Sequence, residues 1–137
     1  MNHTKYILLI LLFIVAVYTY SLDRILNVSD VLTETGLNFE DTALEKFDSN
    51  NDGEVDYLIR TGRDGAKIME SIDFNHDGNM DDLYFYTDGI IIRREVDSNF
   101  DMNIDIWVYI KDGNLIEKYE QDLDFDGNID KVKTFGG

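Results

Sequence analysis

Aspartate recurs at positions 1, 5 and 9 of four nine-residue segments, and that spacing is the chemistry-bearing feature of the chain. The segments are Asp48-Ser-Asn-Asn-Asp-Gly-Glu-Val-Asp56, Asp73-Phe-Asn-His-Asp-Gly-Asn-Met-Asp81, Asp97-Ser-Asn-Phe-Asp-Met-Asn-Ile-Asp105 and Asp122-Leu-Asp-Phe-Asp-Gly-Asn-Ile-Asp130. Their starts lie 25, 24 and 25 residues apart. All twelve places at positions 1, 5 and 9 are Asp, in a chain where Asp is 20 of 137 residues, so chance does not explain the pattern. Position 3 always carries a side-chain oxygen (Asn50, Asn75, Asn99, Asp124), and position 8 is always apolar (Val55, Met80, Ile104, Ile129). Alternate oxygen-bearing residues in a short loop can wrap a hard cation, which takes about 6–8 oxygen ligands at about 2.3–2.6 Å.

The expected ligands are therefore Asp48, Asn50, Asp52, Glu54 and Asp56 in the first loop, and Asp73, Asn75, Asp77, Asn79 and Asp81 in the second. The third offers Asp97, Asn99, Asp101, Asn103 and Asp105, and the fourth Asp122, Asp124, Asp126, Asn128 and Asp130. Positions 1, 3, 5 and 9 supply side chains, and position 7 supplies its carbonyl. Position 6 must turn sharply, which suits Gly53, Gly78 and Gly127. Met102 stands there in the third loop, so that site is expected to be the weakest of up to four calcium sites, or empty. Calcium fits better than the alternatives. Zinc prefers Cys and His, and His76 is the only histidine near the loops. At position 4 it is expected on the surface rather than as a ligand. Magnesium rarely takes all-protein oxygen cages. Polar turns without an ion would explain the composition but not the fixed spacing.

The elements that position these loops read as strands. Val55–Thr61, Met80–Thr87, Ile104–Lys111 and Ile129–Phe135 follow the loops and are rich in β-branched and aromatic residues. Asp64-Gly65, Asp88-Gly89 and Asp112-Gly113 then mark hairpin turns, where Gly accepts the positive φ of a type I′ turn. Returning strands follow at Ala66–Ile72, Ile90–Val96 and Leu115–Gln121, with Ala43–Phe47 as the strand entering the first loop. Ile68, Glu70 and Ile72 are expected on one face, as are Ile90, Ile92, Arg94 and Val96. The fold class is thus all-β, an antiparallel meander of tandem hairpins with about eight short strands over residues 43–137. No segment there holds a helical period. Ser29-Asp30 could cap a short helix ending at Gly36 within residues 22–42.

Twenty-eight acidic residues against 12 basic ones leave a formal charge of −16, which argues against nucleic acid and anionic membrane surfaces as partners. The chain has no cysteine, hence no disulfide staples and no thiol chemistry, and a bound metal is the natural staple for a small exported domain. Lys5 precedes an uncharged apolar run of 15 residues, Tyr6–Tyr20, ahead of Ser21. Such a run matches an export signal over residues 1–21, either cleaved after Ser21 or retained as a membrane anchor. In both cases the body leaves the cytoplasm: secreted, periplasmic or at the cell surface, and contacting the membrane only through this segment.

The loops are not EF-hands, because Ile59, Tyr84, Val108 and Lys133 stand where a bidentate Glu is needed at position 12. The pattern Asp-x-Asn-x-Asp-Gly-x-x-Asp leading into an apolar strand resembles the calcium loops of FG-GAP and VCBS repeats, with Asp73–Asp81 the nearest copy. That resemblance covers only the loops and the strands after them. It implies calcium binding in an exported or surface protein. A catalytic apparatus is not expected: Ser49, Ser71 and Ser98 have no histidine partner, and Glu70, Glu95 and Glu117 are the least favoured candidates, for glycosidase-type chemistry. The expected function is a calcium-stabilised structural, adhesive or interaction module with a protein or carbohydrate partner. The alternative is a calcium-dependent binder of carbohydrate or carboxylate, for which Tyr84, Tyr86, Trp107 and Tyr109 are candidate contacts or, more in keeping with their strand spacing, core. A calcium-dependent hydrolase comes last.

Overall fold

A computed structural model describes residues 42–136; the expected export segment and the helix expected before Gly36 lie outside them. The eight strands are β1 (Ala43–Phe47), β2 (Tyr57–Thr61), β3 (Lys67–Ile72), β4 (Asp82–Thr87), β5 (Ile90–Val96), β6 (Ile106–Lys111), β7 (Leu115–Gln121) and β8 (Lys131–Thr134). They form one sheet in the order β1 to β8, each antiparallel to its neighbours, which is the all-β meander the sequence predicts. The acidic loops join β1 to β2, β3 to β4, β5 to β6 and β7 to β8, and therefore share one edge of the sheet. The Asp-Gly turns share the other. Each strand after a loop begins two residues later than its apolar run suggests, because positions 8 and 9 belong to the loop.

Two of the three turns are built as the sequence predicts. Asp88 and Gly89 both have positive φ (52° and 73°), as do Asp112 and Gly113 (52° and 75°), the geometry of a type I′ turn. Gly113 also sits where a Cβ would come within 2.8 Å of Ile90 Cγ2. The first turn differs: its Gly65 is left-handed (φ 78°) while Asp64 is not, and the turn closes through Gly65 N–H donating to Gly62 C=O at 3.0 Å. Ala66 N–H then donates to Asp64 Oδ1 at 3.0 Å.

A bulge recurs at the same point of all three hairpins. Pairing slips between Arg60 and Thr61, between Phe85 and Tyr86, and between Tyr109 and Ile110, leaving one extra residue in the returning strand each time. The alternation expected through Ile68 and through Ile92 is interrupted there. A bulge raises local right-handed twist, and repeating it gives the sheet a regular coil.

Cross-strand pairing places Leu58, Ser71, Leu83, Glu95, Trp107 and Glu120 in one row on one face, with Arg60, Met69, Phe85, Arg93, Tyr109 and Lys118 in the row beside it. Burial is deepest at β3 and β4, where Ile68, Met69, Leu83 and Phe85 form the apolar core and Phe85 is 1% exposed. The Arg93 guanidinium lies 4.8 Å from the Phe85 ring centre, over its face. On the opposite face Glu70 is a hub: it accepts hydrogen bonds from the Tyr57 and Tyr86 hydroxyls and from Lys67 Nζ at 2.5 Å. Burial alone would raise its pKa, but Lys67 and the two hydroxyls outweigh that and hold the carboxyl low. The same bond pushes Tyr57 up to about 12. Asp82, fully buried, is held by both Nε and Nη2 of Arg94 at 2.8 Å and by the Tyr84 hydroxyl at 2.8 Å. The middle of the sheet is thus fastened by paired polar groups as much as by apolar contact.

Truncating the central ring tests that reading. Phe85→Ala is expected to cost about 3–5 kcal/mol, the usual range for a fully buried aromatic, read as a fall in the denaturation midpoint. A loss below about 1 kcal/mol would place the core elsewhere.

Candidate metal centre

The first aspartate of each loop acts as a cap for the loop's own backbone. Asp73 Oδ1 accepts the N–H of His76 at 2.7 Å and of Asp77 at 3.3 Å, while Oδ2 accepts that of Gly78 at 2.8 Å. Asp97 does the same for Phe100, Asp101 and Met102 at 2.7, 3.2 and 2.7 Å. Asp122 takes Phe125 and Gly127 at 2.8 and 2.7 Å, and Asp48 takes Asp52 and Gly53 at 3.2 and 2.9 Å. These convergent N–H groups force two left-handed residues per loop. Position 6 has φ of 98°, 87°, 75° and 88° at Gly53, Gly78, Met102 and Gly127. Position 4 has φ of 62°, 59°, 63° and 62° at Asn51, His76, Phe100 and Phe125. The second left-handed position was not legible from the sequence, since Phe, which holds it in two of the four loops, carries no preference for that conformation.

Positions 3, 5 and 7 build the outer rim. In the first three loops the position-3 amide oxygen accepts the N–H of position 5 at 2.9–3.0 Å, and its Nδ2 donates to the position-5 carboxylate at 2.8–3.0 Å. The position-5 Oδ1 in turn accepts the N–H of position 7 in all four loops, at 2.8, 2.8, 2.9 and 2.8 Å. Such bonds favour the charged form. Asp52 is held low by the Glu54 N–H and the Asn50 amide. At Asp101 the push of burial upward is outweighed by the Asn103 N–H and the amides of Asn99 and Asn103.

Position 9 closes each loop. Its carboxylate accepts the N–H of position 2: Ser49 to Asp56 at 2.9 Å, and Phe74 to Asp81, Ser98 to Asp105 and Leu123 to Asp130 at 2.8 Å. Two loops add a hydroxyl bond, from Ser49 Oγ to Asp56 at 2.7 Å and from Ser98 Oγ to Asp105 at 2.8 Å. Two of the three serines without a catalytic partner in the sequence, Ser49 and Ser98, therefore have a structural task, while the buried Ser71 hydroxyl has no hydrogen-bond partner. Asp56 is held low first by that hydroxyl and then by the Ser49 N–H.

The second loop has Phe74 where a serine would stand, and the consequence is local. Asp81 is 1% exposed, yet its Oδ1 has no hydrogen-bond partner. Burial pushes its carboxyl up, partly offset by the Phe74 and Asn75 N–H groups, and Asp73 and Asp77 push it further. A buried, unpaired carboxylate oxygen beside two further carboxylates costs several kcal/mol in order of magnitude unless a cation or proton meets it. Oxygen donors of this kind suit a hard cation, although the three carboxylates of this loop do not all come within 4.8 Å of one another.

Among the described residues, the fourth loop is the one whose carboxylates converge. Asp124 replaces the bridging Asn, so Asp126 receives no amide proton from position 3 and keeps only the Asn128 N–H and side-chain amide, at 2.8 and 2.9 Å. Carboxylate oxygens of Asp122, Asp124 and Asp130 lie within 4.8 Å of one another. Two ligands at about 2.3–2.6 Å from one calcium can be at most about 5 Å apart, so a single ion can touch all three. Repulsion from Asp126 and Asp130 raises the Asp124 carboxyl. In the third loop Met102 adopts the conformation its glycine counterparts adopt, and Asp97 and Asp105 are buried as deeply as their equivalents. Burial pushes Asp97 up against three loop N–H groups.

The four loops form a row. The position-9 carbonyl of one accepts the position-1 N–H of the next, Asp73 to Asp56 at 2.9 Å, Asp97 to Asp81 at 2.7 Å and Asp122 to Asp105 at 2.9 Å. Two strand spacings separate neighbours, so the sites repeat at about 10 Å. His76 touches the first loop, with Nδ1 3.2 Å from Asn50 Nδ2 and 3.8 Å from Asp56 Oδ2. Tyr84, Tyr86, Trp107 and Tyr109 are half-buried on the strands, and Tyr109 donates to Glu120 at 2.9 Å beneath the Lys118 ammonium. The aromatics that flank the loops are others: Phe74, Phe100 and Phe125, exposed by 55%, 45% and 47%.

Two substitutions check this geometry. Met102→Gly is expected to raise stability by about 1 kcal/mol, because left-handed backbone strains a side chain bearing a Cβ; the shift in melting temperature measures it, and a loss of stability would show that Met102 packs rather than strains. For Asp124→Asn the raised carboxyl sets the sign: its charge is absent below the unfolded pKa and opposes folding as pH rises through the folded one. Without metal, the Asn variant should be more stable than the parent at pH 7 and equal to it near pH 3. Equal stabilities at both pH values would dismiss the crowding. No protein-family model and no curated protein sequence matches the chain, so the reading of these loops rests on their own geometry.

Proposed function

We propose that the chain is an exported calcium-binding repeat protein, in which up to four ions stabilise a structural or adhesive sheet. The observation that carries this reading is the buried Asp81 oxygen without a partner, in a loop whose other carboxylates, Asp73 and Asp77, repel its charge. The cation supplies positive charge at the point where the fold has gathered negative charge and removed water. The fourth loop, whose three carboxylates converge, is the strongest site, and the unpartnered Asp81 oxygen marks the second. The third is the weakest, because it must hold Met102 in left-handed backbone before an ion can enter. Export rests on the apolar segment near the N-terminus, and extracellular calcium in the millimolar range suits loops that bind at about 10⁻⁴–10⁻³ M. No catalytic role is assigned: the position-1 and position-9 carboxylates accept the N–H groups that close their own loops, and Glu70 is held by three partners.

A second reading is a calcium-dependent ligand binder, favoured by the exposed rings of Phe74, Phe100 and Phe125 along the loop edge. In that case the ions keep water that a sugar hydroxyl or carboxylate displaces, and the rings supply apolar contact.

Thermal melts of the full chain with calcium, with magnesium and with chelator test the first reading. At 100-fold excess over the dissociation constant, each filled site adds about 2.7 kcal/mol, and each 1 kcal/mol moves the melting temperature of a domain this size by about 4–8 °C. A calcium-specific rise above about 10 °C is expected, and it should shrink in Asp81→Asn. An unchanged melting temperature would reduce the loops to turns. Glycan capture that needs calcium and disappears in a Phe74, Phe100 and Phe125 triple alanine variant would select the second reading.

A further inference from the structure

The two edges of the sheet are complementary halves of the repeat. In each hairpin a strand that leaves an acidic loop pairs with a returning strand that enters the next: β2 with β3, β4 with β5, β6 with β7. The strand β8 leaves the fourth loop, and among the described residues no strand pairs with its outer side. The strand β1 enters the first loop and likewise has no strand beyond it. Every residue of both strands is exposed. We infer that β8 of one chain pairs antiparallel with β1 of a second copy, extending the meander head to tail.

The register follows from the repeat. In each hairpin the residue after position 9 pairs with the residue before the next position 1: Tyr57 with Ile72, Asp82 with Val96, Ile106 with Gln121. The same rule sets Lys131 against Phe47 of the second copy, Val132 against Lys46, Lys133 against Glu45 and Thr134 against Leu44. Lys133 and Glu45 then form an opposite-charge pair directly across the strands, and Lys131 lies over an aromatic ring. Leu44, Phe47 and Val132, all exposed large apolar residues, gain cover.

The loop row is completed by the same step. Asp73, Asp97 and Asp122 are buried at position 1, but Asp48 is only half-buried. Asp56, Asp81 and Asp105 are buried at position 9, but Asp130 is exposed. These two exceptions flank the open edges. Joining β8 to β1 lets Asp48 N–H of the second copy reach the Asp130 carbonyl, as in the three loop-to-loop bonds within the chain. Pairing β8 with another β8 is disfavoured, because Lys131 and Lys133 of both copies would share one face. A head-to-tail contact leaves a free edge at each end, so it propagates to longer assemblies, as a filament or, where the rotation closes, a ring. The inference rests on strand phase and charge, independently of whether the loops hold calcium.

Cysteine cross-linking tests it, since the chain has no native cysteine. Directly opposed residues have Cα atoms about 4.5–5.5 Å apart, within the range of about 4.4–6.8 Å that a disulfide spans. Full chains carrying Lys133→Cys are mixed with full chains carrying Glu45→Cys in detergent micelles under mild oxidant, and folding is checked by circular dichroism. The mixture is expected to cross-link at least tenfold faster than either variant alone, or than Lys133→Cys mixed with Lys46→Cys, whose side chain lies on the other face. Faster cross-linking of Lys133→Cys with itself would replace the inference with a twofold β8 contact, and no excess in the mixture would overturn it. In sedimentation of otherwise native chains, Lys133→Glu should abolish concentration-dependent growth, and adding Glu45→Lys should restore it. Growth unaffected by Lys133→Glu would equally overturn the pairing.

Discussion

Four aspartate side chains, one at the head of each loop, accept the backbone N–H groups of the residues that follow, and the shape of the sheet edge depends on them. A carboxylate that gathers two or three N–H donors pulls the chain into a tight ring with left-handed residues at positions 4 and 6. The ring returns the chain antiparallel to its entry, so the strands on either side pair without further instruction. Remove the cap and the loop loses both its closure and the register of the strands it joins.

The same device concentrates negative charge, and the molecule handles it in graded ways. Where position 3 is asparagine, its amide bridges to the position-5 carboxylate and offsets part of the repulsion. Where position 2 is serine, its hydroxyl meets the closing aspartate. The second loop lacks the serine and the fourth lacks both, and there the unmet charge shows as an orphaned oxygen on Asp81 and a raised carboxyl at Asp124. A cation would relieve both. Repulsion in the empty loop and order in the filled one are two sides of a single electrostatic balance.

Away from the loops, the sheet depends on polar pairs because one layer of strands buries little. Asp82 with Arg94, and Glu70 with Tyr57 and Tyr86, stitch neighbouring strands across their faces, while Lys67 with Glu70 and Arg93 with Glu95 at 3.0 Å pair along single strands. Burial raises the Glu95 carboxyl, and Arg93 offsets part of that rise. The same bulge recurs in every hairpin, a feature that raises local right-handed twist.

The sequence by itself determined the repeat, the strands and the order of the meander, because Asp, Asn and Gly at fixed spacing and β-branched runs between them are local preferences with a period. It also marked position 6, since glycine there has a single steric reason. It did not show the left-handed residue at position 4, the bulges beside the turns, or the serine hydroxyls on the closing aspartates. Those arise when backbone donors converge and strands coil together, which no single residue type advertises. Only the tertiary structure decided which loops are internally satisfied and which retain unmet charge, because that depends on whether position 2 or 3 can reach a carboxylate across the ring. It alone showed that Phe74, Phe100 and Phe125, and not the strand aromatics, flank the acidic row, since left-handed or loop backbone turns their rings outward where a strand would have packed them in.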